Sequence, residues 1–228
     1  MPGFNYFLHR RHEKTSQART SASGLVVMPE HSGTHIDALS HQAENMTLHG
    51  GVRVDGSVQT SAGFKKHGID TMAPLLARGV LLDVAGDGRL PPDHLISVDE
   101  LHAAAMVEIR EGDVVLVRTG YGALWNDSDA YMKAAGVSAA GSQWLADRKV
   151  RAVGADNMAF DTVEGFDKEL GVSLPGHMIL LVRAGIPIIE NLNLEELAQA
   201  HVHEFAFICL PLKMRGVTGS PVRPLALV

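Results

Sequence analysis

Four short segments of nearly continuous apolar residues constrain the fold of this chain most strongly. They occupy residues 79–84, 113–118, 150–154 and 186–190. A strand with one face in water alternates apolar and polar residues, so runs of this kind predict strands covered on both faces. Such a sheet needs other elements packed against each face, which is the arrangement of an α/β domain.

Helical segments are predicted between these strands. Ser97 and Glu100 have the spacing of a capping box and precede an apolar stretch. Further helices are predicted over residues 138–148, over residues 176–184 with Gly185 as the C-cap, and over residues 193–201. The alternation predicts an α/β domain with a mixed β-sheet or barrel-like core flanked by helices.

The organisation of the chain favours a single domain over residues 1–228, because no repeat, low-complexity tract or linker interrupts it. Residues 1–24 are polar and basic, and we expect them to form an irregular N-terminal arm. Two interpretations of the arm stay open. It either packs on a partner subunit or is a solvated, partly mobile terminus.

Composition excludes several classes of protein. Apolar residues make up 46% and charged residues 20% of the 228 residues, which is too apolar for a disordered chain. The net charge of −6 argues against a nucleic-acid partner. We find no signal peptide and no apolar run long enough to cross a membrane, so a soluble cytoplasmic protein is expected. The single cysteine, Cys209, lies in an apolar run and is interpreted as a core residue.

One segment has the composition of a metal site: His31-x-x-x-His35-x-Asp37-x-x-x-His41. Imidazole nitrogens and a carboxylate are ligands that suit zinc, manganese or iron(II). If residues 35–37 are extended, His35 and Asp37 project from the same face of a strand. A turn at Gly33 can bring His31 back to them. Three ligands of this kind leave positions open for water and substrate.

Three further residues are candidates for the same centre. His41 lies close enough in sequence to reach the site without ligating, and a histidine suits proton transfer near neutral pH. His177 stands at the start of an apolar helix, where an imidazole needs a partner. Glu190 ends an apolar strand and is either a ligand, a hydrogen-bonded anchor or the first solvated residue.

These residues resemble the signature H-x-G-T-H-x-D-A-P-x-H of the cyclase family of metal-dependent hydrolases, which includes kynurenine formamidases and isatin hydrolases. His31, Gly33, Thr34, His35, Asp37, Ala38 and His41 match it, and Leu39 replaces the usual proline. The likeness continues through residues 118–122, 154–157, 185–192 and 219–226. The motif lies nearer the N-terminus than in the family pattern.

The resemblance implies an activity and a set of roles. His31, His35 and Asp37 would hold a divalent metal, zinc or manganese, with His177 and Glu190 joining in two-metal members, and His41 would act as general acid/base. The implied reaction is hydrolysis of a carbonyl–nitrogen bond in a small aromatic or cyclic amide, with isatin-type ring opening favoured. The alternative substrate is N-formylkynurenine. The implied assembly is a homo-oligomer.

A different class of function is also open from the residues alone. A non-catalytic metal-binding protein would use the same ligands and close the site with a fourth one, for which His41 is the candidate. A serine hydrolase is disfavoured because the chain contains no G-x-S-x-G segment.

Overall fold

The computed structural model describes residues 4–228. Within this part of the chain, eight strands form one sheet: β1 (His35–Asp37), β2 (Leu75–Asp83), β3 (Val114–Arg118), β4 (Ala152–Ala155), β5 (Ile188–Glu190), β6 (Glu204–Cys209), β7 (Gly219–Pro221) and β8 (Leu225–Leu227). Their spatial order is β7-β1-β5-β4-β3-β2-β6-β8. The neighbours among β2, β3, β4 and β5 are parallel and the outer pairs are antiparallel. The sheet curls into a half-barrel, and the predicted α/β class with a mixed sheet is confirmed.

The central strands are buried on both faces, as their apolar sequence predicts. In β3, Val115 and Val117 pack in one hydrophobic cluster, whereas Val114 and Leu116 pack in a second cluster. All four side chains are at most 2% exposed. Since successive side chains of a strand point to opposite faces, the two clusters lie on opposite sides of the sheet. The four predicted segments supply the parallel strands β2 to β5.

Helices cover the first of these clusters. The α-helices are α1 (Val98–Ala104), α2 (Ser128–Tyr131), α3 (Ala139–Asp147), α4 (Pro175–His177) and α5 (Glu195–Gln199), and 3₁₀ turns occur at His49–Gly51, Ile69–Thr71 and Gly122–Leu124. Leu101 of α1 and Leu145 of α3 are fully buried in the cluster. The capping box is formed: the Ser97 hydroxyl accepts from the Glu100 N–H, and the Glu100 carboxylate accepts from the Ser97 N–H. Helix α5 is shorter than the predicted 193–201.

The helix predicted over residues 176–184 differs in type. Only Pro175–His177 is α-helical, and Met178–Ala184 continues as a π-helix. Gly185 ends it with a φ of +71°, the left-handed conformation expected of a C-cap. Leu180 and Leu181 are fully buried. An α-helix could bury the same apolar residues, so the apolar pattern does not distinguish a π-helix from an α-helix. The change from α-helix to π-helix thus occurs directly after His177.

The prediction of an irregular arm over residues 1–24 is wrong for residues 5–10 and 23–24. Asn5–Arg10 and Ser23–Val27 pair as an antiparallel two-stranded ribbon, and residues 11–22 between them lack regular structure. Basic residues dominate the composition of the arm and obscure the strand-forming run Tyr6-Phe7-Leu8. The Tyr6 ring lies directly over Gly24, where a Cβ atom would come within 2.3 Å of it. A side chain at position 24 would therefore displace the Tyr6 ring from this place.

Short two-residue strands stabilise the loops: Thr47–Leu48 with Val52–Arg53, Gln59–Thr60 with Gly63–Phe64, Leu95–Ile96 with Gly136–Val137, and Phe166–Asp167 with Val172–Ser173. Cys209 is fully buried at the end of β6, and burial raises the pKa of its thiol to about 12. It is a core residue, as predicted.

Among residues 4–228, no helix has the length and apolarity required to cross a membrane.

Candidate metal centre

The predicted ligands meet where β1 and β5 lie side by side. These strands are antiparallel, and His35 stands directly opposite Glu190. His35 and Asp37 project from one face of β1, whereas Ile36 between them points into the second hydrophobic cluster and is fully buried. The apolar middle residue anchors the strand, and its two neighbours deliver a nitrogen and an oxygen to the same point.

His31, Asp37 and His41 form one group of candidate ligands, with ligand atoms within 4.8 Å of one another. His31 Nδ1 lies 2.8 Å from Asp37 Oδ1, and His41 Nε2 lies 3.9 Å from Asp37 Oδ2. The rings of His31 and His41 are 4.2 Å apart. Gly33, with a φ of +62°, turns the chain between His31 and β1.

A second group shares Asp37 with the first. His35, Asp37 and Glu190 also offer ligand atoms within 4.8 Å of one another. His35 Nε2 is 3.5 Å from Asp37 Oδ1 and 3.2 Å from Glu190 Oε2. His177 reaches the same place from α4: its Nε2 lies 3.3 Å from Glu190 Oε1 and 3.6 Å from Asp37 Oδ2. The structure thus brings all six predicted residues together around the Asp37 carboxylate.

Three carboxylate oxygens in this centre are buried and, among the described residues, form no hydrogen bond of good geometry. They are both oxygens of Asp37 and Oε1 of Glu190, and their polar neighbours are histidine ring nitrogens at 2.8–3.9 Å. Burying a carboxylate is costly unless a positive charge, a proton on an imidazole or a metal ion, lies beside it. Imidazole nitrogens and carboxylate oxygens are also the donors that a divalent transition metal prefers. These residues therefore fit a divalent cation.

The histidine ring nitrogens that face away from Asp37 and Glu190 contact other polar groups. His35 Nδ1 lies 2.9 Å from the Gly33 carbonyl, and His177 Nδ1 lies 2.8 Å from Asp161. His31 Nε2 lies 3.1 Å from the Thr218 hydroxyl. Hydrogen bonds of this kind orient histidine ligands in metalloproteins.

The charges of the centre shift its pKa values in a consistent pattern. Burial alone would raise the pKa of Asp37, but the adjacent His31 and the charges of the other histidines outweigh it and lower that pKa. Burial lowers the pKa of His41, and repulsion from His31 and His177 adds to the effect against the attraction of Asp37. His41 is therefore neutral near pH 7, the form that accepts a proton.

His177 shows the opposite shift. Burial would lower its pKa, but contacts with Asp161 and Glu190 outweigh burial and raise the pKa well above the ordinary value. The position of its Nε2 between two carboxylates accordingly favours positive charge. A proton or a metal ion supplies that charge.

Access to the centre is one-sided. The side chains of His35 and Asp37 are 3% and 1% exposed, whereas those of His31 and His41 are 25% and 28% exposed. Water and substrate therefore approach past His31 and His41. His41 lies on this open side, where a proton-transfer group can contact a reacting molecule.

Three residues outside the predicted set contribute to the centre. Asp161 lies in the loop after β4, and Thr218 lies just before β7. Neither has a spacing relation to the histidine segment, and only the fold brings them to it. Asn191 is the third: its side-chain NH₂ group donates to the Gly33 carbonyl, and its backbone carbonyl accepts from the Thr34 hydroxyl. Asn191 thus connects the segment between His31 and His35 to the end of β5.

The fold and the centre together define the class: an α/β domain with a mixed, curled sheet and a histidine–carboxylate site where β1 and β5 lie side by side. The chain belongs to the family described as putative cyclase, whose model matches residues 5–162. The matched range contains His31, His35, Asp37 and His41 and ends before His177 and Glu190. The predicted family is confirmed.

Individual relatives agree with this assignment. The chain is 27% identical to Cyclase-like protein 3 of Oryza sativa subsp. japonica over 199 residues, which are 86% of this chain and 62% of the rice protein. It is 27% identical to the isatin hydrolase of Roseibium aggregatum over 230 residues, covering 97% of this chain and 80% of the relative. A crystal structure of a novel cyclase matches with a TM-score of 0.87 and 27% identity over 99% of this chain and 80% of that one. The chain thus spans less than two thirds of the rice relative, and these likenesses support the predicted class of enzyme, a metal-dependent hydrolase.

Proposed function

We propose that this protein is a metal-dependent hydrolase that cleaves a carbonyl–nitrogen bond in a small aromatic or cyclic amide. The observation that carries the proposal is the buried Asp37 carboxylate, whose two oxygens are faced by ring nitrogens of four histidines at 2.8–3.9 Å. His31, His35 and Asp37 are the proposed primary ligands of zinc or manganese. His177 and Glu190 are proposed to complete a second position that shares Asp37.

The chemistry follows from where the protein's own groups lie. A bound divalent metal would make water a stronger acid and polarise the carbonyl group that is attacked. His41, neutral near pH 7 and on the open side of the centre, takes the proton from the attacking water. The same imidazole then returns the proton to the leaving nitrogen. The buried side of the centre, His35 and Asp37, stays inaccessible to substrate.

For the substrate, we propose ring opening of an isatin-type cyclic amide. The support is the 27% identity to an isatin hydrolase over 97% of this chain. The alternative is release of formate from N-formylkynurenine, which requires the same metal ligands and the same proton transfer. The two reactions differ in whether the products stay in one molecule.

An absorbance assay on isatin and on N-formylkynurenine tests both proposals with the same protein. We expect turnover of one of them by the metal-loaded protein. In His41→Ala, turnover should fall by about 100- to 10,000-fold, the usual contribution of general acid–base catalysis, with the metal retained. Loss of the metal in His41→Ala would instead assign His41 as a ligand. Metal binding without turnover of any amide would favour the non-catalytic alternative.

We also propose that the N-terminal ribbon mediates a homo-oligomer. Phe7, Leu25, Val26 and Val27 are each more than half exposed on it, although apolar side chains of this size normally find a partner surface. Light scattering on the purified protein should give a mass above the 24.5 kDa of one chain. A variant with Phe7→Ser and Val26→Ser should shift it toward that value. A monomeric wild-type protein would refute the proposal.

A further inference from the structure

A buried carboxylate outside the predicted ligand set contacts the centre. Asp161 is 2% exposed and lies 16 residues before His177. Its Oδ1 accepts the Gly176 N–H at 2.7 Å, and its Oδ2 accepts the His177 N–H at 3.2 Å. The same Oδ2 lies 2.8 Å from Nδ1 of the His177 ring. Both oxygens are thus occupied by the residues that begin α4.

The loop that carries Asp161 is held rigidly. The Asn157 amide donates to the carbonyls of Ala135 and Phe160, and its own carbonyl accepts the Phe160 N–H. Phe160 is fully buried with a φ of +57°, a conformation that packing must impose on a non-glycine residue. A Cβ atom on Gly136 would lie 2.1 Å from the Asp161 carbonyl carbon, so the neighbouring strand presses directly on this backbone. The position of the carboxylate is therefore fixed before any ligand binds.

We infer that Asp161 is the positioning residue that selects the ligating tautomer of His177. A neutral imidazole carries one N–H, and a carboxylate facing Nδ1 requires that proton to be on Nδ1. The lone pair then lies on Nε2, the atom 3.3 Å from Glu190 and 3.6 Å from Asp37. Asp161 thereby directs the lone pair of Nε2 toward Asp37 and Glu190, although it does not itself contact the proposed metal position. The inference rests on the proposed metal centre.

A purely structural role for Asp161 predicts something different. Two of its three contacts are with backbone N–H groups at the start of α4, and they would serve to cap the helix even if His177 had no function. Asp161→Asn changes both roles, and the His177→Ala background separates them. With the asparagine carbonyl accepting the Gly176 N–H, its NH₂ group would face both the His177 N–H and Nδ1. The first contact removes one backbone hydrogen bond of α4, and the second favours the tautomer that carries the proton on Nε2.

The test compares metal affinity in four proteins by competition with a chromophoric zinc chelator: wild type, Asp161→Asn, His177→Ala and the double variant. Asp127→Asn is the matched control, because Asp127 caps α2 through the Ala130 N–H and contacts no histidine. We expect Asp161→Asn to stay folded and to bind zinc about 10- to 100-fold more weakly. In the His177→Ala background, the same change should have no further effect, since Asp161 acts through His177. Asp127→Asn should bind like wild type.

Nitrogen-15 NMR of the histidine rings, recorded without metal at a pH high enough to make the His177 ring neutral, supplies a readout independent of affinity. His177 should then show its proton on Nδ1 in the wild type and on Nε2 in Asp161→Asn. Wild-type zinc affinity in Asp161→Asn, or an equal loss in the His177→Ala background, would overturn the inference while leaving the metal centre in place. A wild-type protein that binds no zinc or manganese would overturn the proposed centre and this inference together.

Discussion

Asp37 belongs to both groups of candidate ligands, and a metal bound there should raise the thermal stability of the protein. Its two oxygens face His31 and His35 on one side and His41 and His177 on the other, at 2.8–3.9 Å. A cation bound there stabilises the folded state, because the unfolded chain cannot assemble the ligands. At a free metal concentration 100 times the dissociation constant, that stabilisation is about 2.7 kcal/mol. For a protein of this size, about 2–4 °C of melting temperature corresponds to each kcal/mol, so metal should raise Tm by about 5–10 °C.

Asp37→Asn should abolish this increase, since the variant loses the one carboxylate common to both ligand groups. Differential scanning fluorimetry with zinc or manganese, and with chelator, measures the shift. Asp113→Asn is the matched control: Asp113 is also a buried carboxylate, but it contacts Arg78 and the Arg110 N–H. Its variant can melt at a lower temperature and should still show the full metal-induced increase. An equal increase in Asp37→Asn and wild type would refute the assignment of Asp37 as the shared ligand.

Three further predictions concern a helix cap, the packing of β1 and the proton-transfer residue His41. Ser97→Ala removes the capping box with Glu100 and should lower stability by about 1 kcal/mol without affecting turnover, which thermal unfolding and the amide assay would show. Ile36→Ala should cost about 2–5 kcal/mol in denaturant unfolding, because Ile36 is fully buried and the cavity cannot collapse easily; a loss under 1 kcal/mol would contradict the packing. Burial lowers the pKa of His41 from its ordinary value, so kcat/KM should fall only at a pH more acidic than that at which an ordinary histidine titrates, where His41 becomes protonated. A pH profile without this acidic limb would count against His41 as the base.

Much of the fold could be predicted because its central strands bury both faces. Residues 113–118 match β3 almost residue for residue, since a strand covered on both sides needs a continuous apolar run. The N-terminal ribbon could not be found this way. Its side chains are exposed on both faces in this chain, so burial imposed no pattern on them.

The site shows the same division between local and distant information. His31, His35, Asp37 and His41 lie within eleven residues, and their spacing on a short strand with a glycine turn was visible in the sequence. Asp161 was not, because its contact with His177 depends on a loop fastened by Asn157 and on the packing of Gly136. Contacts of that kind arise from tertiary structure and leave no periodic trace along the chain.

Every role proposed for this centre requires that the histidine–aspartate segment binds a metal. The most direct test is elemental analysis of protein purified without chelator, for wild type and for His35→Ala, with circular dichroism to establish that both are folded. We expect zinc or manganese in the wild type and its loss in His35→Ala, because His35 is buried against both Asp37 and Glu190. A folded wild-type protein without divalent metal, and unable to bind it when supplied, would contradict the claim.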